Sequence, residues 1–138
     1  MKETLAFHIA ALYREFLAYT TEELKTLGLS FGQIPLIIYT GKHPGCTQAD
    51  LTRALRLDWG YSQRSITKLV NGGFLSKEYD EARSCNCLTL TESGCRAFEA
   101  CHSVFYDWDR QKTAVLSEEE STALLSLLRK LSAERKES

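Results

Sequence analysis

The chain has 138 residues, of which 43% are hydrophobic and 25% charged, and its formal net charge is −1. This length suffices for one domain with a real core, and the composition is that of an ordinary globular protein. No apolar run approaches the ~18 residues that a bilayer-crossing helix needs, and charged residues interrupt the N-terminus where a signal peptide would be apolar. These features exclude a helical membrane protein and predict a cytoplasmic one.

The first part of the chain is predicted to be helical. Apolar residues recur at three- and four-residue spacing across residues 4–27, which predicts a long amphipathic helix that Gly28 ends. The sequence Ser30-Phe31-Gly32-Gln33 is a capping box and predicts the start of a second helix. Pro35 lies close behind this start and is expected to bend or delay the helix, because proline removes an early hydrogen bond.

A third and a fourth helix follow in close succession. Thr47 has the side chain and position of an N-cap for the third helix, and Asp58 has those of an N-cap for the fourth. The fourth helix is predicted to run to about Asn71, where Gly72-Gly73 provides a strong stop.

The remaining part of the chain predicts a β-hairpin and two further helices. Residues 74–79 and 85–90 have the composition of two strands around a polar tip. Thr91 then caps a long fifth helix, and a capping box that begins at Ser117 opens the last one. No repeat or linker divides the sequence, so a single domain over residues 1–138 is expected, mainly α with a small β-hairpin wing (α+β).

The order from Thr47 to Thr91 is that of a winged helix-turn-helix, in which the second helix enters a DNA groove. Five basic residues and one acid lie between Arg53 and Lys77, so this stretch carries a charge of +4. A basic face on a near-neutral chain is what phosphate binding requires.

Candidate DNA contacts come from three places. With Ile66 and Leu69 buried, the fourth helix turns polar side chains outward, and arginine and glutamine can each bond a base bidentately. Polar groups at the start of the third helix can bond phosphate, and an arginine at the hairpin tip can reach a neighbouring groove or the backbone. The predicted DNA-contacting residues are Thr47, Gln48, Tyr61, Gln63, Arg64, Thr67, Lys68 and Arg83.

These motifs together resemble the MarR (multiple antibiotic resistance regulator) family. The residues that carry the resemblance are Gly45-Cys46-Thr47-Gln48-Ala49-Asp50-Leu51, Leu57-Asp58, Arg64, Leu69, Gly73-Phe74-Leu75 and Leu90-Thr91-Glu92-Ser93-Gly94. The resemblance covers essentially the whole chain. It implies a homodimeric transcriptional regulator, often a repressor, with a near-palindromic site in double-stranded DNA. The DNA-binding lobe would span about 30–91, and the dimerisation helices about 4–27 and 92–134.

The hairpin departs from the family pattern in one respect. Where the family carries Asp-x-Arg, this chain has Ala82 and Ser84, and the nearest acid and base are Asp80 and Arg83. The role of the wing arginine is therefore assigned to Arg83 by proximity rather than by a direct match.

The resemblance also implies release from DNA by a small aromatic effector or by cysteine oxidation. Candidate effector-pocket residues on the first and fifth helices are Tyr13, Phe16, His102 and Tyr106, although aromatic residues at helical spacing more often form a dimer core. Cys85 and Cys87 share one face of a strand and are candidates for redox sensing; the alternatives are incidental thiols and, with Cys95 or Cys101, metal binding. Five cysteines without export signals argue against a disulfide framework, and their spacing matches no zinc motif, so no metal or cofactor is predicted.

Two other functional classes compete with a DNA-binding regulator. A winged helix can dock another protein without touching DNA, and the modest net charge and altered wing favour that alternative. An enzyme is not expected, because the chain has no nucleophile elbow, P-loop, H-E-x-x-H motif or dinucleotide fingerprint. The expected partners are DNA, a second copy of the chain and a small-molecule effector, and not a membrane.

Overall fold

The computed structural model describes residues 3–133. Its main elements in that range are α1 (Leu5–Leu24), α2 (Ile34–Lys42), β1 (Cys46–Thr47), α3 (Gln48–Ala54), α4 (Trp59–Asn71), β2 (Leu75–Asp80), β3 (Cys85–Leu90), α5 (Glu92–Lys112) and α6 (Glu118–Ala133). The predicted fold class, mainly α with a small β wing, is confirmed. Residue 134, the end of the predicted C-terminal dimerisation segment, lies outside the described residues. Across residues 3–133, no helix is both long and apolar enough to span a membrane.

The ends of the first two helices follow the sequence signals. α1 passes through a short 3-10 turn into Gly28, whose φ of 77° is left-handed and therefore suits glycine. The backbone N–H of Ser30 donates to the Gln33 side chain at 2.8 Å, which is one half of the predicted capping box. A 3-10 turn then precedes α2, so that Pro35 falls in the first turn of the helix and delays it, as expected.

The sheet contains one strand more than the predicted hairpin. Its strand order is β1-β3-β2, and both pairings are antiparallel. Cys46 lies opposite Leu88 and Thr47 opposite Cys87, so β1 ties the start of α3 to the hairpin. A strand of two residues is too short to show the alternating pattern by which strands are recognised in a sequence.

The described residues fall into two compact units that divide after Val104, within α5. The first unit contains the apolar core, in which α1, α2, α3, α4 and β3 each contribute side chains at most 1% exposed: Leu24, Ile37, Leu51, Ile66, Leu69 and Leu88. One core therefore fixes the two helices of the helix-turn-helix relative to the hairpin. The second unit carries the end of α5 and α6.

The start of α5 is fastened to the hairpin by close backbone contact. The Thr91 hydroxyl accepts a hydrogen bond from the Gly94 N–H at 3.0 Å and donates to the Gly73 carbonyl oxygen at 2.5 Å. The Phe74 carbonyl oxygen lies against Gly94, where any Cβ would clash with it. Only glycine allows this approach, which fixes the base of the wing.

Candidate nucleic-acid interface

α4 separates small and aliphatic residues from polar ones by helical face. The buried side consists of Ser62, Ser65, Ile66 and Leu69. The exposed side consists of Gln63, Arg64, Thr67 and Lys68, four of the predicted DNA contacts. The structure therefore brings these four side chains together on one surface, which we call the polar face of α4.

The first turn of α4 is held by Asp58. Its carboxylate accepts a hydrogen bond from the Tyr61 N–H at 3.1 Å, which satisfies one of the free donors at the helix start. A Cβ at Gly60 would lie 3.2 Å from an Arg64 guanidinium nitrogen, so the Arg64 side chain extends back over this turn. None of the ion pairs among residues 3–133 involves Arg64. Its exposed donors are therefore available to another molecule.

The start of α3 is closed by a reciprocal capping box. The Thr47 hydroxyl accepts from the Asp50 N–H, and the Asp50 carboxylate accepts from the Thr47 N–H, both at 3.0 Å. Hydrogen bonding from the Thr47 backbone N–H, and then from the Thr47 side chain, lowers the pKa of the Asp50 carboxyl group. The neighbouring Gln48 places its amide nitrogen in a buried position, where it finds no hydrogen-bond partner within the described range.

A buried hydroxyl pair joins the two helices of the helix-turn-helix. Thr52 of α3 and Ser62 of α4 approach to 2.6 Å between their hydroxyl oxygens, and both residues are buried. A hydrogen bond is directional, so this pair restricts the angle and register at which α4 packs on α3. The hydroxyl pair, on the buried side of α4, therefore helps to set the position of the polar face on the opposite side.

Arg83 leaves the hairpin tip and turns back onto the body of the lobe. Its guanidinium donates to the Gly45 carbonyl oxygen at 3.0 Å and to the Cys87 sulfur at 3.4 Å. It also lies 3.9 Å from an Asp50 carboxylate oxygen, and about half of the side chain is exposed. The predicted wing arginine is thus engaged with the start of α3 in the isolated chain.

Tyr61 lies on the flank of α4 rather than within its polar face. A Cβ placed on Gly32 would lie 3.0 Å from the Tyr61 hydroxyl oxygen, so the ring reaches the turn before α2. The ring is 40% exposed. The hydroxyl is therefore directed at Gly32, while part of the ring stays accessible.

The candidate effector residues fall in different surroundings. Tyr13 and Phe16 of α1 both meet Phe31 edge-on, with ring centroids 6.2 and 5.7 Å apart. His102 packs on Phe98 at 4.6 Å, and its Nε2 atom is buried with no hydrogen-bond partner among the described residues. Tyr106 belongs to the second unit and is 66% exposed. Tyr13 and Phe16 therefore share the Phe31 ring as a neighbour, whereas His102 packs against the Phe98 ring.

The cysteines are all free thiols in differing environments. Cys46 and Cys101 are buried, Cys95 is exposed, and the pair Cys85 and Cys87 is half-buried. Burial raises the pKa of Cys101 to about 11, so this thiol is protonated at neutral pH and belongs to the core.

A cleft of about 300 Å³ lies between the start of α3, the start of α4 and the hairpin. Among its lining residues are Thr47, Gln48, Trp59, Lys77, Asn86 and Leu88. Trp59, Lys77 and Asn86 are absent from the predicted DNA contacts. Lys77 could have been found from the sequence, because it belongs to the basic stretch between Arg53 and Lys77. In the sheet it lies opposite Leu88.

Comparison with known proteins identifies the chain's relatives. No protein-family model matches it. It is 38% identical over 132 residues to the HTH-type transcriptional regulator BilQ of Clostridium symbiosum (strain WAL-14163), a match that covers 95% of this chain and 92% of that protein. A protein of the same description from Clostridioides difficile (strain CD3) is 25% identical over 128 residues, covering 91% and 86%.

Solved structures share the fold. The crystal structure of a MarR transcriptional regulator from Methanosarcina mazei Go1 has a TM-score of 0.83 at 23% identity and covers 97% of this chain and 90% of its own. A Staphylococcus aureus MepR–DNA complex has a TM-score of 0.77 at 21% identity, covering 95% and 96%. The named relatives are regulators rather than enzymes. Together, these relatives establish that this chain belongs to the HTH-type transcriptional regulators and has the winged helix-turn-helix fold of MarR proteins.

Proposed function

We propose that the chain is a homodimeric repressor whose two copies of α4 enter major grooves of a near-palindromic operator. The polar face of α4 carries this proposal, because it is exposed, contiguous and backed by a rigid core. The B-DNA major groove is about 12 Å wide and admits one α-helix. The MepR–DNA complex supports DNA docking by a chain of this fold.

Within the polar face, the side chains divide by the bonds they can form. Arg64 can bond the O6 and N7 atoms of guanine bidentately, and Gln63 can bond the N6 and N7 atoms of adenine. Thr67 and Lys68 lie one turn further along the same face, where they can bond the phosphate backbone. Arg64 and Gln63 therefore supply sequence preference, and Lys68 supplies affinity.

Phosphate contacts at the start of α3 anchor the lobe. The Thr47 hydroxyl can still donate to a phosphate while it accepts from Asp50, and Gln48 stands beside it at the helix N-terminus, where the helix dipole favours anions. The stretch from Arg53 to Lys77 carries +4 on a chain with a net charge of −1, so positive charge is concentrated in this lobe. That distribution favours DNA over an uncharged or cationic protein partner.

Arg83 and Tyr61 mainly hold other parts of the lobe in place and are not the main base-contacting residues. Arg83 would have to break its hydrogen bond with Gly45 to reach a minor groove, so its observed contacts support a role in holding the start of α3. The Tyr61 hydroxyl lies at Gly32, which supports a role in seating α4, while its exposed ring edge remains able to contact a thymine methyl group.

A second copy of the chain is the partner that best covers the exposed apolar residues of the terminal helices. α1 exposes Leu5, Phe7, Ile9, Leu12 and Tyr13, each between 45% and 58%. α6 exposes Leu124, Leu125, Leu127, Leu128 and Leu131. Rows of exposed apolar residues are typical of an interface, and a two-fold dimer matches a near-palindromic DNA site.

A small aromatic effector is proposed to act through the residues around Phe31. Tyr13 and Phe16 contact this ring, and the adjacent Gly32 contacts Tyr61 of α4. A ligand that displaced Phe31 would therefore disturb the packing of the DNA-reading helix. It would weaken DNA binding only if it bound the DNA-free conformation more tightly. His102 and Tyr106 remain sequence-based candidates for the same effector.

The direct test is binding of the full chain to fluorescent DNA fragments from the region that flanks its own gene. We expect one fragment to bind at two protomers per site, with log K falling linearly against log salt at a slope of about −0.9 per contacted phosphate. In transcription assays, the bound fragment should be silenced. Salt-independent or absent DNA binding, together with a stable protein partner, would support protein docking instead.

A further inference from the structure

Cys85 and Cys87 form a pair of thiols on one face of the hairpin. They alternate along β3, where residues two apart face the same side of a sheet. The register places Cys87 opposite both Glu78 and Thr47, and Cys85 opposite Asp80. Both thiols are half-buried and therefore reachable from solvent.

This geometry does not favour a disulfide between the two cysteines. Residues two apart on a strand have Cα atoms about 6.6 Å apart, at the upper limit of the disulfide range. Their Cβ atoms point the same way rather than towards each other. Desolvation raises the pKa of the Cys87 thiol, against the opposing effect of the Arg83 guanidinium. Little thiolate is then present at neutral pH to attack an oxidant.

A bridging metal ion removes the distance constraint. Metal–thiolate bonds of about 2.3 Å allow the two sulfurs to stand up to about 4.6 Å apart across a linear ion. Soft thiolates select soft ions such as Cu⁺. Across residues 3–133, no group of three or more His, Cys, Asp or Glu side chains could hold a metal ion, so a tetrahedral zinc site does not fit.

A positive charge lies beside the thiol pair. Two thiolates and one monovalent cation form a complex with a net charge of −1. The Arg83 guanidinium lies 3.4 Å from the Cys87 sulfur and shares its positive charge between this sulfur and the Asp50 carboxylate at 3.9 Å.

We propose that Cys85 and Cys87 form a two-coordinate binding site for a monovalent thiophilic cation of the Cu⁺ class. On binding, two S–H bonds lose their protons to solvent and two metal–sulfur bonds form. No electron is transferred, and the ion keeps its charge. The site is separate from the polar face of α4 and from the residues around Phe31.

The same site is connected to the start of α3. Arg83 divides its donors among the Cys87 sulfur, the Gly45 carbonyl oxygen and the Asp50 carboxylate. An anionic metal–thiolate complex would draw the guanidinium towards sulfur and weaken its hold on the capping box of Thr47. An effect on DNA affinity follows only through the proposed function, whereas cation binding does not depend on it.

The test uses Ag⁺ as a redox-inert probe, the full-length protein and native mass spectrometry in the presence of excess glutathione. We expect one Ag⁺ per chain to be retained. Cys85→Ser and Cys87→Ser should each lower Ag⁺ affinity by roughly 10²- to 10⁴-fold, the range for losing one of two tethered contacts. Cys95→Ser removes an exposed thiol outside the pair and should leave affinity unchanged.

Equal Ag⁺ affinity in wild type and either pair variant would overturn the proposal, as would an equal loss in Cys95→Ser. X-ray absorption on the Ag⁺-loaded wild type is independent of any variant's folding. It should show two sulfur ligands, and a higher coordination number would contradict the assignment. Because the titration contains no DNA, its failure would leave the DNA-binding proposal intact, and a failed DNA assay would leave the site intact.

Discussion

α4 and α6 are both amphipathic, yet they expose opposite kinds of surface. α4 buries Ile66 and Leu69 to 1% exposure or less and presents its polar face to solvent. α6 leaves its leucines between 39% and 57% exposed: Leu124, Leu125, Leu127, Leu128 and Leu131. Fully burying one leucine contributes about 1.5–3 kcal/mol. Burying this row of leucines against a partner would therefore contribute a large binding free energy.

The difference shows which helix is complete within one chain. The apolar residues of α4 are buried within its own lobe. Its exposed polar face is therefore suited to a polar, anionic ligand. α6 has polar ends, and its leucines remain exposed to solvent. This surface is therefore suited to an apolar partner. We therefore propose that separate helices carry DNA reading and dimerisation. Variants of α4 should change DNA binding without changing dimerisation, and variants of α6 should change DNA binding only through the loss of the dimer.

The largest effect is expected from Leu127→Asp combined with Leu131→Asp on α6. Losing the burial of two leucines costs about 3–6 kcal/mol, so dimer affinity should fall by more than about 100-fold. DNA affinity should fall with it, because two half-sites are no longer bound together. Sedimentation equilibrium and DNA anisotropy measure the two losses.

Thr122→Asp provides the matched control, since it adds charge at an exposed polar position of the same helix. It should leave the dimer intact. A double-leucine variant that sediments as a dimer and binds DNA normally would show that α6 is not the interface.

The next largest effect is expected from Arg64→Ala on the polar face of α4. Loss of a bidentate base contact costs about 1–3 kcal/mol, or roughly 5- to 150-fold in specific DNA affinity. The thermal midpoint and the dimer constant should not change, because Arg64 is exposed. Arg96→Ala is the control, since Arg96 belongs to α5, where it pairs with Glu92 at 3.5 Å. An equal loss in both variants would point to general electrostatics.

A smaller effect on stability is expected from Ser62→Ala on the buried side of α4. The change leaves the buried Thr52 hydroxyl without its partner, at a cost of about 1–3 kcal/mol in the free energy of unfolding. Adding Thr52→Val should restore most of the loss, because both polar groups are then absent. Urea unfolding measures the free energy of unfolding of the single and double variants. A double variant that is more stable than Ser62→Ala alone would indicate a hydrogen bond between the two hydroxyls, whereas additive losses would contradict it.

The smallest effect is expected from Asp58→Ala at the N-cap of α4. Removing the acceptor for the Tyr61 N–H costs about 1 kcal/mol of stability. Asp58→Asn retains an acceptor oxygen and should lose less. Dimerisation through α6 should be unaffected in both, and a change in the dimer constant would contradict the division between the two helices.

Local chemistry made much of the fold predictable from the sequence. The Ser30 capping box, the Asp58 cap of α4 and the Gly28 stop depend on neighbouring residues, and each is present in the structure. β1 was not predictable, because its two residues become a strand only through pairing with Leu88 and Cys87 of a distant segment.

The part of the candidate site on α4 was predictable, because helical periodicity determines which of its side chains are exposed. Ile66 and Leu69 fix the buried side of α4, and the exposed side follows from the helical repeat. The position of Arg83 was not predictable, because its bonds to Gly45 and Asp50 join segments more than 30 residues apart in sequence. The contact between Tyr61 and Gly32 depends on tertiary packing in the same way.

The most direct measurement of the central claim is a base-by-variant comparison at the operator. Each base pair of one half-site is substituted in turn, and the affinities of wild type and Arg64→Ala are measured for every operator. Wild type should discriminate strongly at one G·C pair, and Arg64→Ala should bind all bases there with nearly equal affinity while keeping its discrimination elsewhere. An Arg64→Ala variant that discriminates at every position as strongly as wild type would contradict the assignment of α4 as the DNA-reading helix.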